Sequence, residues 1–280
     1  MLRFLEMMMK ITISKSKFFV LIFLIVSINS CSSSKDPKEF IKAQSYEQTN
    51  EPKKAIQYYL RTINRYPEKK ISVKAAEHIV RLARIETKNY SLAIKSLNFI
   101  LKNSKNLELS IWAQELKANI YYENLYQYNK AIIEFNKFLS LIKKDKKLFK
   151  IKLRLAKCHF SLNQFYQSEI EVNEALKLKV SKGDIFEALL FKASLYLTNK
   201  KVDKAILLYK DLLKKYPDLS KKENIKTNLA VCYEEKEEFN EAIRVLKEIK
   251  DEKIEKAEIV DLKIEKLKLR IENMPKGKVR

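Results

Sequence analysis

The sequence predicts an all-α protein built from stacked helix pairs, an α-solenoid, and three observations predict it. One small residue recurs in register six times: Ala55, Ala93, Ala131, Ser168, Ala205 and Ala242 lie 38, 38, 37, 37 and 37 residues apart. Self-similarity at a fixed period of this length marks a repeat array. Each anchor also sits inside a similar phrase, "KKAIQYYL", "SLAIKSLNF", "NKAIIEFNKF", "YQSEIEVNEA", "DKAILLYKDL" and "NEAIRVLKEI". Finally, the 280-residue chain holds only two glycines and five prolines. That poverty of turn formers suits helices joined by short links and disfavours a turn-rich β fold.

The elements of one copy follow from its offsets. Four residues after the anchor stands a large apolar group: Tyr59, Leu97, Phe135, Val172, Tyr209, Leu246. Three before it stand Tyr90, Tyr128, Phe165, Val202 and Phe239, with Pro52 in the first copy. Nine before it are Tyr46, Tyr122, Tyr196 and Tyr233, with His159 and Arg84 as exceptions, and twelve before it are Ala43, Ala156, Ala193 and Ala230. Each copy therefore reads as helix, turn, helix, the turn lying between the ring at minus nine and the residue at minus three. "TNEP", "LNQF" and "TNKK" supply turn residues there. Small residues let two helices approach, and rings fill the space beside them. One pair cannot bury its apolar stripe alone, so neighbours must stack. Copy two departs from the pattern, with Arg81 and Arg84 where Ala and an aromatic ring are expected.

This pattern resembles the tetratricopeptide repeat over roughly residues 36 to 249. Tyr66-Pro67 and Tyr216-Pro217 close two copies in that family's manner. The resemblance implies a right-handed α-solenoid of about six helix pairs. Each copy is three or four residues longer than the family's usual period of about 34. The extra length is expected after the Tyr-Pro end, in "EKKIS" and "DLSKKEN". Beyond copy six, "KIEKAEIVDLKIEKLKLRIEN" places Val260, Ile264, Leu267 and Ile271 at helical spacing. It is read as a capping helix with a polar outer face.

Residues 1–30 read as a targeting segment rather than as fold. Lys10, Lys15 and Lys17 precede an apolar run, "FFVLIFLIVSI" (18–28), which is of signal-peptide length and short for a membrane span. Met9 is an alternative start. "INSC" then resembles a bacterial lipoprotein box: aliphatic Ile28, small Ser30, then Cys31, with Asn29 departing from the pattern. The resemblance implies cleavage before Cys31 and its lipidation, several acyl chains together giving a firm anchor. An ordinary signal peptide with an incidental cysteine shares the first features. The polar "SSSKD" after the cysteine favours the lipoprotein. The expected organisation is a signal peptide (1–30), a lipidated cysteine and tether (31–35), the array (36–272) and a basic tail (273–280). Asp36 is not adjacent to Cys31, so the expected location is the cell envelope, most simply the outer membrane facing the periplasm.

The formal net charge is +22, from 57 Lys and Arg against 35 Asp and Glu. The Lys residues are spread over every copy and read first as a solvated surface. The densest run, Lys143 to Lys147, is the one expected to meet anionic headgroups or an acidic partner. Nucleic acid as a partner conflicts with the export signal. Cys158 and Cys232 occupy equivalent positions two copies apart, beyond disulfide reach, and read as small buried hydrophobes.

Catalytic signatures are missing. Two glycines leave no phosphate loop, dinucleotide fingerprint or nucleophile elbow. His78 and His159 lie in no metal-ligand pattern. Cys158 and His159 are neighbours on one helix and point about 100° apart. The chain is therefore read as a non-enzyme, with no cofactor, metal or small-molecule substrate. Its function is expected in a groove lined by the first helices, fifteen and eleven residues before each anchor. The central positions are Leu116, Ile120, Leu153, Lys157 and Leu190, with Phe160 beside them. Such an apolar stripe suits an extended or helical peptide with apolar anchors. The lipoprotein signal, tether, Tyr-Pro endings and lengthened repeats together resemble the BamD-type lipoproteins of outer-membrane β-barrel assembly. That family typically has five repeats, and this chain has six. The implied function is an envelope scaffold for protein partners, in barrel assembly or in another process such as peptidoglycan synthesis, pilus or secretion assembly.

Overall fold

The computed structural model describes residues 36–142 and 145–274, and it is all-α, with no strand among the described residues. The expected signal peptide, Cys31, the tether, Lys143, Lys144 and most of the basic tail lie outside the described residues. Two compact units divide after Thr87.

The first unit contains α1 (Lys38–Gln48), α2 (Pro52–Arg65) and α3 (Lys70–Ile85). Pro52 opens α2, where a missing N–H costs nothing. Ala55 and Tyr59 of α2 and Ala43 of α1 are fully buried. The Tyr59 hydroxyl donates to Glu47 Oε2 at 2.6 Å, so a large ring is buried without orphaning its polar tip. Ala75, Ala76, Ile79 and Val80 of α3 complete the core. Arg81 and Arg84 are exposed, and Arg81 pairs with Glu47 inside this unit.

The second unit begins with α4 (Tyr90–Asn103) and α5 (Leu107–Asn119), which continues as a π turn over Ile120–Asn124. Then come α6 (Tyr128–Leu139), α7 (Asp145–Ser161), α8 (Phe165–Leu176), α9 (Lys182–Thr198) and α10 (Val202–Lys215). A short α11 (Pro217–Lys222), α12 (Ile225–Glu235), α13 (Phe239–Asp251) and α14 (Ala257–Glu272) close it. The helix α11 holds part of the extra length expected after the Tyr-Pro end. Side-chain caps mark several starts: Asn89 accepts from Leu92, Asn106 from Glu108 and Leu109, and Ser181 forms a capping box with Asp184.

All six anchors are fully buried, and so are the residues four places on, from Tyr59 to Leu246. In the second unit the anchors from Ala131 onward lie where a second helix meets its neighbours. Ala131, Phe135 and Phe138 pack with Ala118 of α5 and with Ile151, Leu155 and Cys158 of α7. Val172 and Ala175 of α8 pack with Leu153 and Ala156 of α7 and with Ala188 and Leu195 of α9. In the second unit α5, α7, α9 and α12 thus each show one face to their own second helix and another to the preceding one, which is how a stack buries what a single pair cannot.

One turn geometry recurs. Five residues before every anchor the backbone is left-handed: Asn50, Lys88, Tyr126, Asn163, Lys200 and Glu237, with φ from 50° to 60°. In four copies the first helix ends in the same paired hydrogen bonds, as in Asn163 N–H to Phe160 O (2.9 Å) and Gln164 N–H to His159 O (2.8 Å). Copy three differs. Its closing bond runs from Gln127 N–H to Tyr121 O at 2.9 Å, one residue longer. The π turn absorbs that extra residue, so Ala118, thirteen before the anchor, fills the place that Ala156 and Ala193 fill at twelve.

The helix α14 lies on α13 through Val260, Ile264 and Leu267, with Ile271 partly buried. Its outer face is not uniformly polar, because Ile259, Leu262 and Leu269 are 47%, 58% and 52% exposed.

Candidate functional site

The expected groove residues divide into two groups. Ile120 (1% exposed) and Leu153 (3%) are core. The π turn rotates Ile120 inward, and Leu153 joins the cluster between α7 and α8. Neither has surface to offer a ligand. Leu116, Lys157, Phe160 and Leu190 are half-buried and do reach the first-helix face. Outside the central stretch, Phe40 and Leu82 are also buried, while Val231 is 43% exposed.

Polar links that spacing alone does not reveal tie successive first helices together. Arg154 of α7 donates to Asn119 Oδ1 (2.6 Å) and pairs with Glu123 (3.1 Å). Lys157 pairs with Glu187 of α9 at 2.8 Å, and Lys147 with Glu115 of α5 at 3.2 Å. Between these links Phe160 meets Phe191 edge-on and Phe165 at a tilt, with ring centroids 5.7 and 5.9 Å away. The face is therefore mixed rather than continuously apolar. Half-buried Leu116, Phe160, Leu190 and Phe191 alternate with exposed ion pairs of small individual strength. Such a surface can grip a segment carrying a few apolar anchors and exchange its own ion pairs for charges on the partner.

The remaining chemistry-bearing residues are structural. Cys158 and Cys232 are free and fully buried, and burial pushes both thiols up to about 12. The His159 ring bonds Gln164 Oε1 through Nδ1 at 2.7 Å, away from Cys158. In the first unit His78 stacks on Tyr59 at 4.8 Å and contacts Glu47 at 3.0 Å. In the second, Glu134 is almost buried. Gln114 donates to its Oε2 (2.8 Å) and to its backbone carbonyl (2.9 Å), and Lys117 lies 3.1 Å from Oε1. Burial alone would raise the Glu134 carboxyl. The bonds from Gln114, Lys117 and Lys137 outweigh it and hold that carboxyl below the usual range. Among the described residues no group of three or more His, Cys, Asp or Glu is placed to hold a metal ion.

The tetratricopeptide-repeat family model matches residues 40–69 and 187–219. Those two segments are tetratricopeptide repeats. The two matched segments contain the copies that end in Tyr-Pro. In both, a buried serine after the proline bonds a carbonyl seven residues past the anchor: Ser72 Oγ to Thr62 O (3.2 Å) and Ser220 Oγ to Leu212 O (2.9 Å). The other four copies lack that ending.

Solved structures share the fold. A tetratricopeptide repeat protein from Parabacteroides merdae ATCC 43184 aligns with TM-score 0.51 and 15% identity, over 86% of this chain and 93% of that one. YrrB, titled a TPR protein with an unusual peptide-binding site, aligns with TM-score 0.51 and 16% identity, over 74% and 97%. PilW, titled a widely conserved type IV pilus biogenesis factor, aligns with TM-score 0.50 and 12% identity, over 80% and 96%. At these identities the likeness is one of fold. No curated protein matches the chain by sequence.

Proposed function

We propose that the protein is a membrane-anchored, non-enzymatic scaffold that holds protein partners in a bacterial cell envelope. Its repeats carry the reading at the coarse level, since tetratricopeptide repeats bind protein or peptide partners. The mixed face of α5, α7 and α9 is the surface that best supports it: Leu116, Phe160 and Leu190 stand half-buried between the Arg154 and Lys157 ion pairs. Anchoring rests on Lys10 to Cys31 alone, where a positive region, an apolar run, a small residue and a cysteine follow in the order that export and lipidation require.

The narrower reading is a part in outer-membrane protein assembly, which the BamD-type resemblance suggests. The rival is coordination of another envelope process. A crosslinking pull-down from intact envelopes tests all three levels, comparing wild type with Leu116→Glu plus Lys157→Glu. Both positions are half-buried, so the fold tolerates the change, whereas a charge at Leu153 would enter the core. Partners lost in the folded variant place the work on the first-helix face, and their identity names the process. Partners unchanged would refute that surface. A mature chain without diacylglycerol on Cys31 would refute the anchor.

A further inference from the structure

We infer that the first helix pair carries a binding pocket for a phosphate-type anion, and that its ligand is the headgroup of an anionic phospholipid. The inference rests on the anchored reading for the source of the ligand, and on geometry for the pocket. A cavity of about 500 Å³ opens between α1 and α2, lined by Lys38, Glu39, Lys42, Tyr58, Arg61 and Arg65. Four of these six side chains are cationic and one is acidic.

The single carboxylate is engaged through one oxygen, Glu39 Oε1 lying 2.5 Å from Arg65 Nη1, while its Oε2 is buried without a hydrogen-bond partner. Among the described residues Lys38, Lys42 and Arg61 have no carboxylate within ion-pair distance. Lys42 Nζ and the Arg61 guanidinium instead converge on the Tyr58 ring, 4.9 and 4.6 Å from its centroid. Tyr58 is held in turn by stacking on Tyr46 at 5.3 Å. Three of the four basic side chains on this cavity are thus left without an acid partner. The Glu39 carboxyl, held below the usual range first by its own backbone N–H and then by Arg65, already meets the first turn of the α1 helix. Its amides add positive potential where Lys38 and Glu39 stand. Arg61 supplies a planar fork suited to phosphate oxygens, and the two lysines supply point charges.

The commitment to a lipid follows from the distance along the chain. Lys38 comes seven residues after Cys31, and seven extended residues span at most about 25 Å. A chain tethered at Cys31 keeps the pocket within reach of the bilayer surface, where anionic headgroups attract basic clusters.

The test uses native mass spectrometry of the detergent-solubilised full chain, titrated with phosphatidylglycerol, phosphatidylcholine or inorganic phosphate. The expected result is preferential binding of phosphatidylglycerol. Lys42→Gln/Arg61→Gln should weaken it about thirtyfold, which is two basic contacts at an anionic surface. Lys42→Arg/Arg61→Lys should retain it. All four substitutions fall on exposed positions, and an unchanged melting temperature confirms the fold. Equal binding of the two lipids, or phosphatidylglycerol binding that survives the double Gln variant, would overturn the pocket. Inorganic phosphate binding as tightly as phosphatidylglycerol would overturn the lipid as its source. None of these results depends on whether Cys31 carries lipid, which the mass of the mature chain reports separately.

Discussion

The buried Glu134 cluster gives the most exacting test of the packing described above. Glu134→Gln keeps the shape of the side chain and its bond with Gln114, and removes only the charge. It leaves Lys117, whose side chain is 11% exposed, without a counter-ion. Lys137 is 58% exposed and contributes little. Breaking a buried pair from one side costs about 3 kcal/mol, at the lower end of the usual range. With a urea dependence near 2 kcal/mol per molar, the midpoint should fall by about 1.5 M. Trp112 is the only tryptophan in the chain and sits on α5, the helix that carries Gln114 and Lys117, so its fluorescence follows the unfolding of that helix. Lys117→Met/Glu134→Leu removes both charges and should return to within about 1 kcal/mol of wild type. The carboxyl is held low in the folded chain, so its stabilisation is present above the unfolded carboxyl's titration near pH 4.3 and is lost as pH falls through the lower folded value. The gap between wild type and Glu134→Gln should therefore be constant from neutral pH to about pH 5 and close in stronger acid. A midpoint shift below about 0.3 M, or a double variant as unstable as the single one, would refute the argument.

Two further outcomes follow from burial and backbone geometry. Cys158 and Cys232, both raised to about 12 by burial, should resist iodoacetamide in the native chain at pH 8 and react fully in denaturant; native alkylation seen by mass spectrometry would contradict their placement. Lys200, at φ 56°, sits in a conformation that costs a side chain about 1 kcal/mol, so Lys200→Gly should raise the melting temperature by a few degrees, with Asn163→Gly gaining less; a lower melting temperature for Lys200→Gly would show that its side chain contributes more than its backbone costs.

The stack was legible because its determinants are periodic. An Ala that must fit between two helices, and a ring four residues later that fills the space beside it, have few substitutes, and Ala55 to Ala242 repeat that requirement visibly. Arg81 and Arg84 likewise stood out as departures, and the division into two units falls within the same copy, after Thr87. The turn was legible only as an interval. Its left-handed residue is Asn in two copies, where it does mark the position, and Lys, Tyr or Glu in the other four, where no residue type announces it. The groove was read less well, for a geometric reason. Offsets of fifteen and eleven assume an unbroken α-helix, and the π turn moved Ile120 off that face. Leu153 shows that one offset can serve the core in one copy and the face in another, because what covers it is set by the neighbouring second helix. The cross-links from Arg154 and Lys157 join residues about thirty positions apart, beyond the span of any local pattern.

The π turn at Ile120–Asn124 bears on how such an array can grow. A one-residue insertion in an ordinary helix rotates everything beyond it by about 100°, enough to turn a core face toward water. Here the added residue is looped out just before the turn, and Ala131 still arrives where Ala93 and Ser168 stand in their own copies. Copies of unequal length can thus share one phase. Gene duplication of copy three would propagate its 38-residue frame without accumulating drift, and deletion of one residue within 120–124 would restore the shorter frame while leaving the interfaces on either side intact.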